Sequence, residues 1–415
     1  MITSRLTQAT QSNPRNLSNS TNPTNRSNPM NLCNSINPSN PTILLTFDVE
    51  DWFQVENFKQ CIPFSAWPDC ELRIEKNVHE ILDLLDSIKL NNPTNSSHEM
   101  QSLFHRDSIN VSRESASRKW LMPTNSNNSM NPINPTAAQQ HNSTDKNSSS
   151  SFTSPLTPYG KNSPCAMPPA LCKSPKATFF VLGWIAERLP RLVREIQARR
   201  HEVASHGFYH ELCRQQSGVD LKNDLERSKK LLEDITGNPV YGYRAPSFSI
   251  DNDILKIIED AGYFYDSSFN SFKLNKRYGQ LAVGANNGSN GISFQISDRF
   301  YELPISNVRI GKQVFPWGGG GYFRLIPLSI FRQGVKKILK KHGAYLFYLH
   351  PWEFDPDQPK VTDAKILYKF RHYTNLDKTL SKFSLLIKNF HQCHFQTSYQ
   401  YLTFNLEHLL TNETH

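Results

Sequence analysis

The 415-residue chain is long enough for two or three average domains. Only 37% of it is hydrophobic and its mean hydropathy is −0.55, so much of the length is polar filler rather than core. The net charge of +9 comes from scattered Lys and Arg with no basic run interleaved with aromatics, which speaks against nucleic acid as a partner. Seven cysteines without a C-x-x-C pair speak against a zinc knuckle or a disulfide framework and fit a reducing compartment. No stretch approaches the ~18 uninterrupted apolar residues of a membrane span. The first 40 residues lack the apolar core of a signal peptide. The expectation is a cytoplasmic chain without an integral membrane segment.

The filler is identifiable. From Asn13 to Asn40 an asparagine stands at every third position, and the same beat returns at Asn125, Asn128, Asn131 and Asn134. Such Asn/Ser/Pro-rich tracts cannot bury enough apolar surface to offset backbone ordering, so residues 1–42 and 91–174 are expected to be disordered. Setting them aside leaves roughly 290 residues, the size of one large α/β domain. The expected organisation is a barrel from 43–90 and 175–355, with residues 356–415 as a C-terminal extension packed on it.

Ile43 to Phe47 form a short apolar run that reads as a buried strand ending in Asp48-Val49-Glu50-Asp51. Apolar residues at helical spacing predict a helix over 71–89. After the insert, Ala177 to Leu182 is a second buried strand, followed by a helix over 184–199 that Pro190 kinks or restarts. The alternation continues with strands at 201–204, 240–243, 263–266, 301–304 and 344–349. Helices are expected at 220–236, 251–261 and 327–341. Repeated βα units with near-continuous apolar strands imply a parallel sheet, either open and doubly wound or closed as a barrel.

The carboxyl ends of these strands carry Asp48, Glu50 and Asp51, then His206 and His210, then Arg244, Asp266 and His350. In a (β/α) barrel those ends converge on one mouth, so five strands delivering their ionisable residues to the same end points to an active site. His206-Gly207-Phe208-Tyr209-His210 spaces two imidazoles four residues apart, which on a helical turn would aim both at one metal ion. Two histidines and one carboxylate make a catalytic zinc set, with the carboxylate available from the Asp48–Asp51 cluster.

These segments resemble the polysaccharide deacetylase family, of the NodB-homology or carbohydrate esterase family 4 type. The resemblance rests on Thr46-Phe47-Asp48, on Ser205-His206 with His210, on Arg244 with Pro246, and on Leu349-His350-Pro351. The segments FDVEDWFQVE, ATFFVLGWIAERLP, ASHGFYHEL, GYRAPSFSI, GGGGYFRLIP, FYLHPWEFDP and RHYTNLDKT resemble the subgroup associated with exosortase and exopolysaccharide gene clusters. The resemblance covers residues 43–90 and 175 to about 390, and decides for a distorted α/β barrel of the deacetylase type, interrupted by the low-complexity insert.

The resemblance implies metal-dependent hydrolysis of the N-acetyl amide of an amino sugar in a polysaccharide or its precursor, in exopolysaccharide biosynthesis. Its partners would be an N-acetylated polysaccharide or oligosaccharide substrate and exopolysaccharide synthesis machinery. Asp48 would be the general base, Arg244 its ionising partner, His350 the general acid and Asp266 the group that orients His350. A backbone N–H near Trp52 or Phe53 would bind the oxyanion. The metal, expected to be zinc, would be held by His206, His210 and a carboxylate. Where the commonest family pattern has a second aspartate, Val49 stands here, so Glu50 or Asp51 must serve. Side-chain alternation along a strand favours Glu50, which shares a side with Asp48.

The Trp317-Gly318-Gly319-Gly320-Gly321-Tyr322 run lacks the G-K-[ST] of a phosphate loop and reads as a loop near the mouth. Trp52, Trp317, Tyr322 and Trp352 are candidates to stack on sugar rings. Two other readings share the fold class: a hydrolase of small non-peptide C–N amides, and a carbohydrate-binding protein that has lost its metal because of Val49.

Overall fold

A computed structural model describes residues 41–90, 174–272, 277–281 and 292–412. The two Asn-rich tracts expected to be disordered lie outside the described residues, apart from their last one or two positions.

Eight strands form one path and a ninth joins beside it. In chain order the strands are β1 (Thr42–Val49), β2 (Ala177–Val181), β3 (Glu202–Ser205), β4 (Gly242–Tyr243), β5 (Tyr265–Asp266), β6 (Phe294–Ser297), β7 (Phe300–Glu302), β8 (Asn307–Ile310), β9 (Gln313–Pro316), β10 (Ala344–Leu349) and β11 (His394–Phe395). The spatial order is β10-β1-β2-β3-β4-β5-β7-β6, with β11 on β1 in line with the start of β2. Every pairing from β10 through β7 is parallel, and only the edge strand β6 runs antiparallel. Strands β8 and β9 make a separate hairpin.

The sheet curls instead of lying flat. On a flat sheet β1 and β4 would stand about 14 Å apart, yet Arg244, just past β4, donates to Asp48 Oδ1 of β1 at 2.7 Å. The two ends of the path also approach each other. Beyond β7, Leu303 N–H still pairs with Asp266, and Ser306 Oγ accepts from Leu346 N–H of β10 at 2.9 Å. This is a distorted barrel whose last seam is closed by side-chain and single-bridge contacts, as expected from the alternating βα pattern.

Side-chain alternation on β1 shows how the curl divides the core. Ile43, Leu45, Phe47 and Val49 face out and pack under the helices, whereas Leu44 joins Phe180, Ala204, Tyr265 and Leu346 inside. Thr46 and Asp48 continue the inner row. Val49 therefore belongs to the outer core, where an acid would be buried among apolar side chains.

The predicted helices form with shifted ends. Residues Ile74–Ser87 are helical, and Pro190 does restart the chain: helices Gly183–Arg188 and Pro190–Ala198 meet there, with the proline at the first helical position, where no N–H partner is needed. Gly237 ends the helix Gly218–Thr236 at φ +66°, the left-handed closure a glycine supplies without strain. The glycine run does reach the mouth, where Gly321 lines the cleft, but it is not a loop. Gly320–Leu325 is a short helix, and Gly318 and Gly319 run beside β10.

Candidate active site

Six of the predicted residues meet at the carboxyl end of the sheet. Asp48 ends the inner row of β1, and Glu50 follows two residues on, its N–H bonded to the Asp48 carbonyl. His206 follows β3, Arg244 follows β4 and His350 follows β10. His210 returns to the same place because the His206–His210 segment is an irregular loop, not the helical turn expected from its spacing. Gly207 and His210 both adopt left-handed backbone, at φ +75° and +56°. Left-handed backbone is strained for a residue with a Cβ and persists where surrounding contacts enforce it. Ser247 and Phe248, also left-handed, line the same cleft.

Glu50, His206 and His210 are all buried and can each direct one ligand atom so that the three lie within 4.8 Å of one another. His206 Nδ1 is 2.8 Å from the Arg244 carbonyl. That contact requires the proton on Nδ1 and leaves the Nε2 lone pair for a cation. Glu50 Oε2 lies 2.5 Å from His210 Nε2, yet is not in hydrogen-bond alignment with it and has no other protein partner. Two polar atoms held together off-axis in a buried site suit donors to a common third atom. The residues therefore fit a divalent cation.

Asp51 faces the other way. Its Oδ2 accepts from the Arg73 and Ile74 N–H groups at 2.7 and 2.9 Å, at the start of the helix Ile74–Ser87, and its Oδ1 accepts from Trp52 N–H. Of the two competing carboxylates, Glu50 is the one at the histidines. The Trp52 N–H, expected near an oxyanion, is thereby committed to Asp51.

Asp48 is clamped. Arg244, fully buried, donates through Nη1 to Asp48 Oδ1 and Thr46 Oγ1, and through Nε and Nη2 to the carbonyl and hydroxyl of Ser267. Phe180 covers its guanidinium at 4.0 Å. A buried guanidinium held at this many points fixes the position of the adjacent carboxylate.

His350 places Nε2 3.5 Å from Glu50 Oε1 and 3.9 Å from Asp48 Oδ2. Its other nitrogen, Nδ1, is 2.9 Å from Glu353 Oε1. Burial opposes its protonation, but the Glu353 hydrogen bond and the Glu50 and Asp48 carboxylates override that and raise it to about 9. Glu353 in turn accepts from Arg324 Nε at 2.8 Å, and Arg324 is anchored by the carbonyls of Arg371, His372 and Thr374. Gly320 is needed here, because a side chain on it would meet the Glu353 carboxylate.

Asp266 is not the partner of His350. It bonds Ser268 through both N–H and Oγ, and pairs with Glu302 across β5 and β7. Burial pushes both carboxyls up, and their proximity raises Glu302 further. The correction has a local cause: Glu353, three residues past His350 on the same 3-10 turn, reaches its ring directly. The sequence signal was the spacing His350-Pro351-Trp352-Glu353.

The four candidate sugar-stacking aromatics separate. Trp352 lines the cleft, lies stacked between His350 and His372, and donates to Glu50 Oε1 at 3.3 Å. Tyr322 follows Gly321 at the cleft rim and packs edge-on to Phe272. Trp52 is buried, with its indole N–H on the Glu71 carbonyl. Trp317 stacks on Phe331 and donates to that residue's carbonyl. These last two are core residues, a correction that follows from their satisfied indole groups. The cleft is open to solvent, and Phe248, Tyr278 and Tyr348 are among the residues that line it.

Comparison with known proteins bears on this geometry. Residues 173–265 match the family model described as polysaccharide deacetylase. Over those residues the chain is similar to polysaccharide deacetylases. Residues 267–402 match a second model, a domain of unknown function, DUF3473, so His350, Glu353 and Arg324 fall in that second segment. A peptidoglycan deacetylase-like protein of Gibberella zeae is 34% identical over 93 residues, 22% of this chain and 28% of that one. The peptidoglycan-N-acetylglucosamine deacetylase of Bacillus cereus is 32% identical over 88 residues, 21% of this chain and 41% of that one. The chain thus spans less than half the length of these curated relatives. A solved structure of a candidate polysaccharide deacetylase from Mycobacterium smegmatis covers 90% of this chain and 91% of its own, at 15% identity and a TM-score of 0.45.

Proposed function

We propose that the chain hydrolyses the N-acetyl amide of an amino sugar in a polysaccharide or its precursor, with a divalent cation held by Glu50, His206 and His210. Zinc suits the two-histidine, one-carboxylate donor set. The observation that carries the reading is the buried Glu50–His206–His210 cluster standing between two clamped proton-transfer groups, Asp48 and His350. When bound, the cation would polarise the amide carbonyl and acidify water. Asp48, held in place by Arg244, takes the proton of the attacking water. His350, protonated and held by Glu353, donates to the departing amine as the C–N bond breaks, leaving acetate and a free amino sugar. The exopolysaccharide setting belongs to the same proposal and rests on the segments resembling that subgroup.

The open, aromatic-walled cleft favours a glycan over a small cyclic amide, which a closed pocket would suit better. The test is acetate release from a panel of defined N-acetylated oligosaccharides beside small amides such as allantoin and formamide. Release from the glycans alone is expected. Turnover of only the small amides replaces this reading with its rival on the same fold, and absence of both bound metal and turnover points to the carbohydrate-binding protein that has lost its metal.

A further inference from the structure

The helix Ile366–Tyr373 stands at the cleft mouth, where Arg371 and His372 contribute to the lining. It turns its apolar face to solvent: Ile366 is 83% exposed, Leu367 62% and Phe370 53%. Soluble surfaces carry single exposed apolar residues commonly, but a contiguous group of large ones marks an interaction site. At about 100° per residue, these three fall in one arc about 100° wide. On the same wheel Lys365 and Lys369 flank one edge, and Arg371 stands about 40° beyond the other. No acidic residue interrupts positions 365–373; just upstream, exposed Lys360 and exposed Asp363 offset each other. An apolar stripe edged on both sides by cations is the pattern of a helix lying in a lipid interface, its apolar side in the acyl boundary and its cations at anionic headgroups.

The helix is also coupled to the site. Arg324 donates to the carbonyls of Arg371, His372 and Thr374 as well as to Glu353, and Asn375 donates to the Arg324 carbonyl. Whatever holds this helix therefore fixes the orientation of the cleft.

We propose that the helix Ile366–Tyr373 docks the protein on an anionic lipid bilayer, with the cleft mouth at the membrane surface. The occupant is lipid because the cations Lys365, Lys369 and Arg371 edge the apolar arc on both sides within the helix and its cap, where no acid stands. The inference does not depend on the chemistry proposed for the cleft.

The experiment is flotation of the full chain with phosphatidylcholine vesicles and with mixed phosphatidylglycerol/phosphatidylcholine vesicles. Binding to the mixed vesicles, weakened by salt, is expected, with a loss of roughly tenfold or more in the triple variant Ile366→Ser, Leu367→Ser, Phe370→Ser. A second variant, Lys365→Glu with Lys369→Glu, leaves the apolar residues in place and should also lose the anionic preference. Failure of the wild-type chain to float overturns the proposal, as does flotation of both variants at the wild-type level with the wild-type preference for anionic vesicles. Self-association through this face without vesicle binding would identify it as a protein contact and overturn the proposal equally.

Discussion

His350 Nδ1 and Glu353 Oε1 stand 2.9 Å apart on a single 3-10 turn, so the imidazole facing Asp48 and Glu50 is oriented by a residue only three positions away. Glu353→Gln keeps the shape but removes the charge. Turnover should fall roughly 10- to 100-fold, the usual cost of losing an orienting partner. The pH–rate profile separates this from a structural effect. Glu353 raises the His350 pKa, and a cation on Glu50 opposes the share contributed by Glu50 but not that of Glu353. The descending alkaline limb, where His350 loses its proton, should therefore move to lower pH in the variant.

Direct loss of the proton-transfer groups should cost more. Asp48→Asn and His350→Ala should each lower turnover by roughly 10² to 10⁴ with metal content retained. Near-native turnover in either variant with metal bound would remove that residue from the mechanism.

Arg244 and Asp48 form a buried pair, and removing one partner strands the other's charge. Arg244→Ala should lower stability by about 3–5 kcal/mol in urea unfolding. Adding Asp48→Asn to it should restore part of the loss, because the stranded carboxylate is gone. A strictly additive double variant would show that the pair is not coupled.

Metal content after dialysis distinguishes the neighbouring acids. Glu50→Gln, His206→Ala and His210→Ala should each lose the ion. Asp51→Asn should retain it while losing about 1 kcal/mol of stability, because Asp51 caps the helix at Ile74. Loss of metal in the Asp51 variant with retention in the Glu50 variant would reverse the assignment.

The Asp266–Glu302 pair gives a stability signature instead of a catalytic one. Burial, with Asp266 as its next cause, pushes the Glu302 carboxyl well above 4.5, so it stays protonated in the folded protein where the unfolded chain ionises. A raised folded pKa contributes stability that is fully present below about 4.5 and is lost as pH rises toward the folded value. Glu302→Gln, which mimics the protonated acid, should flatten the fall in unfolding free energy between acidic and alkaline pH. Asp266→Asn should leave the alkaline limb assigned to His350 in place, since the two residues do not touch.

The parallel strands and the convergence of Asp48, His206, Arg244 and His350 were legible because both depend on local pattern: apolar runs fix the strands, and the first polar residues after them fix the mouth. The position of Glu50 followed from alternation on β1. Trp52 and Trp317 were misplaced because sequence reports an aromatic ring but not whether its indole N–H finds a buried carbonyl. Asp266 was mistaken for the His350 partner because position at a strand end does not reveal how a strongly curled sheet turns each residue. Arg324 was invisible to pattern, since its partners are carbonyls some 50 positions away in sequence. The hairpin of β8 and β9 was missed for a similar reason: its short, mostly exposed strands carry little of the apolar signal that marks β1 or β10.

The most direct test of the central claim is acetate release from N-acetylated oligosaccharides by the wild-type chain and by Glu50→Gln, each measured after chelation and again after titration with zinc. The structure predicts that wild-type activity disappears with chelation and returns on add-back, while Glu50→Gln stays inactive at zinc concentrations that restore the wild type. Activity that survives chelation in the wild type, or that zinc restores equally in Glu50→Gln, would contradict the assignment of Glu50, His206 and His210 as the metal-holding centre.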